Sequence, residues 1–277
     1  MNKFKNYFSK GLLHTFLLAI SVTMLLPFCW IFSTSLRLPR ESFKFPPNFF
    51  PTSFHYQNYI EVFQKFPFLN FINNSLIVAF AVVFLSIIVT TMAGYAFARI
   101  PFRWRDQLFL IFIAGLMIPS QATIIPTYII MSKIRLVGTL WALILPAIVS
   151  PMSIFFVRQY MKTIPASYEE AAHMDGASRF RIYAMIFLPM SKSVIIMTSL
   201  LCFLTSWNSF MAPLIYLSKW ETMTLPIGLK VLSGYMGTGS ISVTLAGVTM
   251  SLVVPTILYI TGQKYILQGV ALSGLKS

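Results

Sequence analysis

Residues 165–189 read PASYEEAAHMDGASRFRIYAMIFLP, and the fold turns on how this stretch is read. It is the longest polar interruption in the second half of a very apolar chain. It holds Glu169, Glu170 and Asp175, three of only seven acidic residues. Ser167 followed by Glu170 has the spacing of a capping box, in which the serine oxygen accepts a backbone N–H and the glutamate reaches back. Glu169 and Glu170 then fall in the first helical turn, where the helix dipole favours negative charge. Tyr168, Ala171 and Ala172 share one face. Gly176 suits a left-handed helix end, and a second helix is expected over 178–188, with Pro189 ending or kinking it. The expectation is a short helix with a small-residue face, a glycine corner and a second helix leading away. Capping and periodicity alone describe an ordinary surface helix–turn–helix equally well.

The surroundings of this stretch are those of a membrane protein. The chain has 277 residues, is 57% hydrophobic and only 10% charged, and has a mean hydropathy of +0.75; a soluble domain carries roughly 25% charged residues. The fold class expected is all-α and membrane-embedded, with lipid as a partner. A net charge of +14 would suggest nucleic acid in a soluble protein, but no basic run carries interleaved aromatics, and no nucleic-acid partner is expected. Lysine and arginine in short loops orient membrane helices instead. Cys29 and Cys202 lie inside apolar runs and read as small core residues, not a disulfide. His14, His55 and His173 are far apart, so no metal site is assigned. There is no phosphate-binding G-x-x-x-x-G-K-[ST] loop, nucleophile elbow or paired-carboxylate site. No catalytic residue and no cofactor is assigned; ATP, if used, is bound by another chain.

Six transmembrane helices are expected, each needing ~20 apolar residues. They cover about 12–36, 72–97, 108–130, 140–158, 194–217 and 241–263. Lys3, Lys5 and Lys10 precede the first, Arg99, Arg103 and Arg105 form a tight loop after the second, and Arg158, Lys162, Arg179, Arg181 and Lys192 flank the polar stretch. The positive-inside tendency places these segments, and both termini, in the cytoplasm. The first external loop is proline-rich (Pro39, Pro46, Pro47, Pro51) and its second part, PTSFHYQNYIEVFQKF, is expected to hold a short amphipathic helix. Pro119, Pro126, Pro146, Pro151 and Pro255 lie in or near spans, where neighbouring helices or water must satisfy the freed carbonyls; bent helices around a cavity are expected. Three parts follow: 1–71, with the first span and external loop; a core, 72–264, with the cytoplasmic loop 159–190; and a cytoplasmic tail, 265–277.

The spacing Glu170-Ala171-Ala172, three residues, Gly176, nine residues, Ile186, one residue, Leu188-Pro189 resembles the EAA loop of importer-type ABC permeases. Other pieces resemble the carbohydrate-uptake branch of these binding-protein-dependent inner-membrane components, and within it the MalG-like permease subunit. They are Asn58-Tyr59, Gly94-Tyr95-Ala96-Phe97-Ala98-Arg99, Met117-Ile118-Pro119 with Pro126-Thr127-Tyr128, Ser206-Trp207-Asn208, Thr224-Leu225-Pro226, and Gln263-Lys264-Tyr265 with Gly269. Ser209 departs from the branch, which usually has aspartate there, and the ending Gly274-Leu275-Lys276-Ser277 is close to the family's tail but not identical.

The resemblance implies a type I ABC importer permease in the bacterial cytoplasmic membrane. It implies a second permease subunit, a cytoplasmic ABC ATPase dimer, an extracytoplasmic solute-binding protein and a carbohydrate substrate. In such a permease Glu169, Glu170, Ala171, Ala172, Asp175 and Gly176 would form the ATPase-coupling helix, the tail would contact the ATPases, and residues 218–240 would meet the binding protein. Trp207 and Asn208 offer an aromatic face and an amide to a sugar; their plainer role is helix packing. The rival reading is a secondary transporter or channel not driven by ATP. Ion-coupled carriers usually bury a carboxylate at membrane depth, and no charged residue lies in the central part of any expected span. A membrane enzyme would need an acid–base pair, and none is evident.

Overall fold

The structure is a computed structural model that describes residues 2–38, 41, 50, 51, 54–235 and 240–274. Pro39, Pro46, Pro47, residues 236–239 and the ending 275–277 lie outside the described residues, and of 266–274, Gly269 among them, only the helical backbone is described. The protein is 82% helix, with no strand among the described residues. Among the described residues, four helices are long and apolar enough to cross a membrane, or six if each of two bent pairs is one span. The chain divides into two compact units, Met1–Phe68 with Leu229–Val253 and Leu69–Gly228 with Val254–Ser277.

In the first unit, α1 (Asn2–Ser35) presents apolar side chains all round, Leu12, Phe16, Leu18 and Met24 among them, each more than half exposed. A helix apolar on every side and unburied within its own chain is suited to lipid. Cys29 lies on this exposed surface and both cysteines are free, so Cys29 is not the core residue expected. The amphipathic helix of the loop is α2 (Gln57–Lys65). Asn58 is fully buried, and its amide donates to the carbonyls of Ser35 and Arg37 at 2.8 Å each. It thereby satisfies acceptors that the end of α1 would leave open. Tyr59 hydroxyl lies 2.7 Å from that of Ser35.

In the second unit, α3 (Phe68–Arg99) is followed by α4 (Arg105–Ala114), a 3₁₀ turn (Gly115–Met117) and α5 (Ser120–Lys133). The expected third span is therefore two helices, bent by 103°. Pro119 lacks the N–H a continuous helix needs and pushes Ile118 to extended backbone (φ −84, ψ 118). α6 (Trp141–Ala147) and α7 (Pro151–Thr163) form the fourth span. Ser150 caps α7 by accepting from Ser153 N–H, with Pro151 at the first helical position.

The polar stretch carries α8 (Ser167–Met174), α9 (Arg179–Ile182), a π-helical turn (Tyr183–Phe187) and α10 (Leu188–Met190), and α11 (Lys192–Trp207) follows after a 77° bend. The expected fifth span stops ten residues early. Asn208 ends α11, and α12 (Met211–Tyr216) is a separate short helix. α13 (Leu225–Tyr235) and α14 (Ile241–Gly274) complete the chain.

Candidate functional site

The loop begins where α7 ends. Ile164 is extended (φ −69, ψ 129), as a residue before proline tends to be, and Pro165 then fixes a helical φ. This overturns the capping box. Ala166 is already helical (φ −64, ψ −26), its carbonyl accepts from Glu169 and Glu170, and no side chain caps α8. Ser167 is inside the helix, so its oxygen is not the cap.

The other end forms as expected. Gly176 has φ +72, its N–H donates to His173 carbonyl, and Ala177 N–H donates to Ala172 carbonyl at 2.9 Å; this is a Schellman end. Two residues later Ser178 caps α9, accepting from Arg181 N–H at 3.3 Å. The second helix runs through Pro189 and ends one residue later at Met190, where the chain bends by 77° into α11, so the expected kink forms just past the proline. The π turn before it lets Leu188 N–H reach Tyr183 carbonyl, and the widened turn relieves the clash of a proline ring with the carbonyl four residues back.

On this hairpin the expected coupling residues divide. Glu170, Ala171, Asp175 and Gly176 are exposed, as are Tyr168 and Met174 (89% exposed). Ala172 is partly buried against a core that includes Tyr95, Val157, Ile182, Tyr183 and Phe187. Glu169 turns inward: it is 20% exposed, with its carboxylate 4.0 Å from Arg99 and 3.9 Å from His173.

The sequence pattern did not reveal the junction that joins α7 to α3 and α4. Arg158 is 6% exposed; it donates to Asp106 at 2.6 Å and to Phe97 carbonyl at 3.2 Å, and lies 3.8 Å over the Phe109 ring. One side chain thus ties α7 to α4 and to the end of α3. A signal was available, since Asp106 is the only acid between Glu61 and Glu169 and it lies among arginines. Gly94 serves the same junction: a Cβ there would sit 2.6 Å from Val157 Cγ1 and 3.3 Å from Arg158 N, so glycine lets α3 and α7 approach closely.

A cavity of about 530 Å³ opens in the same unit. Ser75, Gln121, Thr127, Ser206, Asn208 and Ser209 line it with apolar neighbours, and no charged side chain is among its lining. Asn208 therefore faces the cavity, with its amide also donating to Leu204 carbonyl at 2.9 Å, in its own helix. Trp207 does not face it. Its indole is 3% exposed and stacks on Phe203 at 5.7 Å, because α11 turns that side inward. Trp207 is a packing residue outside the cavity lining. No group of three metal-ligating side chains forms among the described residues.

A family model described as binding-protein-dependent transport system inner membrane component matches residues 86–267. The chain is 35% identical over 229 residues to the arabinooligosaccharides transport system permease protein AraQ of Halalkalibacterium halodurans, covering 82% of each. It is 28% identical to the sulfoquinovosyl glycerol transport system permease protein SmoH of Agrobacterium fabrum, covering 92% of this chain and 90% of that one. It also superimposes on a chain of a bacterial ABC transporter involved in the import of the acidic polysaccharide alginate. There the TM-score is 0.80 and the identity 25%, over 92% of this chain and 95% of that one. Relatives of this kind are transport subunits, not enzymes. The chain belongs to the binding-protein-dependent family of ABC transporter permeases, and it is a multi-pass inner-membrane component.

Proposed function

We propose that this protein is one of two permease subunits of an ATP-driven importer of carbohydrate, coupled to a cytoplasmic ATPase dimer through α8. A binding protein delivers the sugar from outside. Both termini and the loop 159–190 lie in the cytoplasm. The observation that carries the reading is the shape of the hairpin: a two-turn helix with Glu170, Ala171, Asp175 and Gly176 exposed, and arginine-fixed helix ends behind it. A short, stiff helix with small residues and carboxylates on its free face can seat in a cleft and accept N–H or cationic partners.

The mechanism is mechanical. Closure of the ATPases would push α8; the Schellman corner and the capped second helix would pass the motion through the bend at Ser191 into α11. α11 ends at the cavity. The neutral hydroxyls and amides there suit the hydroxyls of an uncharged sugar, and the absence of lining charge speaks against ion-coupled transport by this chain.

The test is reconstitution. The permease pair with its ATPases and binding protein, in proteoliposomes, should take up neutral oligosaccharide only with ATP. Uptake that persists without the ATPase chains would favour the secondary transporter.

A further inference from the structure

Docking of α8 leaves the Gly94–Arg99 stretch without a part in transport, and Arg99 in particular has an ordinary explanation as one of the basic residues that orient the chain. That explanation asks only for charge. The geometry asks for more. From the end of α3, the Arg99 guanidinium donates through Nη2 to the carbonyl of Met161 at 2.7 Å and to that of Ile164. Its Nη1 lies 4.0 Å from the Glu169 carboxylate, and its plane lies 4.8 Å over the Phe187 ring. The side chain is only 12% exposed. One fork thus holds a carbonyl in the last turn of α7, the carbonyl of the residue before Pro165, the first turn of α8 and the π turn.

We propose that Arg99 is a positioning residue for energy coupling, holding α8 in fixed register with α3 and α7. The proposal rests on α8 being the ATPase-docking helix. A fork that reaches two carbonyls and a carboxylate at once cannot be replaced by the compact ammonium of lysine, which keeps the charge. Arg99→Lys therefore separates the two explanations: it preserves the orienting charge and removes the fork. Without the fork, the entry to α8 loses its attachment to the membrane helices, and a push on α8 is spent in local motion.

The experiment compares wild type, Arg99→Lys and Arg99→Gln in the reconstituted complex. Hydrogen exchange is followed over residues 167–176, and uptake is measured per ATP hydrolysed. Both variants should insert and bind the ATPases. Exchange in that segment should rise about tenfold, and uptake per ATP should fall severalfold, with Arg99→Lys closer to Arg99→Gln than to wild type. Arg99→Lys with wild-type exchange would overturn the proposal, as would faster exchange with wild-type uptake per ATP. A failure of the docking reading itself looks different. Glu170→Lys and Gly176→Val would then also leave uptake per ATP unchanged, while Arg99→Lys still quickened exchange.

Discussion

The two ends of the Leu69–Gly228 unit are built from opposite chemistry, although the same helices run between them. α3 reaches the cavity at Ser75 and ends at Arg99, about 36 Å away along a straight helix. At the Arg99 end, guanidinium groups bind helix-terminal carbonyls, carboxylates and aromatic faces. At the cavity end, serines, threonines, an asparagine and a glutamine line the space with no charge, and helices stop or bend at Pro119 and Asn208. The difference teaches where each end can yield. Charged forks fix several elements to one another at once, which suits an entry point for force. Isolated hydroxyls and broken helices can exchange partners at small cost, which suits a path that must open.

The sharpest way to break this comparison is at the glycine corner. Val at position 176 would be forced to φ +72, which costs on the order of 1–3 kcal/mol for a non-glycine residue and redirects the chain after α8. Gly176→Val should lower uptake per ATP by about tenfold or more, measured in proteoliposomes with ATPase binding checked by co-purification. Unchanged uptake per ATP would remove the corner from the mechanism.

Arg158→Leu should act on the frame itself. It loses the contact with Phe109 and the donor to Phe97 carbonyl, worth ~2 kcal/mol together. Thermal unfolding in detergent should shift downward, by more than for any single hydroxyl removed from the cavity lining. If Ser206→Ala costs as much, the charged end is no stiffer than the cavity end.

Asn208→Leu should have a smaller and different effect. It removes one helix-end hydrogen bond, ~1 kcal/mol, and an amide from the cavity wall. Sugar uptake should fall a few-fold through a raised KM, with uptake per ATP kept. A fall in uptake per ATP would erase the division of labour between the ends. The smallest effect is expected for Trp207→Phe. The indole stacks on Phe203 outside the cavity lining, and a ring is retained, so uptake should change by less than about twofold.

What could be read from the sequence followed the range of the interactions. Gly176 acts on backbone groups within five residues, so its role was legible from spacing, whereas the cap that Ser178 makes on Arg181 N–H, though equally local, was not drawn from it. Ser167 failed on an equally local competitor, because Pro165 and Ala166 begin the helix first. The breaks at Pro119 and Asn208 divide apolar runs whose composition does not change across them, so hydropathy joined what the backbone separates. The π turn before Pro189 left no mark in composition. The arginine contacts link residues more than fifty apart in the chain, and no periodicity reports such pairs. Asn58-Tyr59 and Gly94–Ala98 stood out only as resemblances, and Arg99 otherwise only as an orienting charge; their physical content, a cap on α1 and a close helix crossing with a fork at its end, appeared with the fold.

The account depends most on which side of the membrane α8 faces and what touches it there. The direct measurement is labelling of Ala171→Cys, in a background where Cys29 and Cys202 are serine, with a membrane-impermeant maleimide. The account predicts labelling in inside-out vesicles, none in right-side-out vesicles, and protection when the ATPase subunits are bound. Labelling from the outside, or labelling from the inside that the ATPases do not reduce, would contradict it.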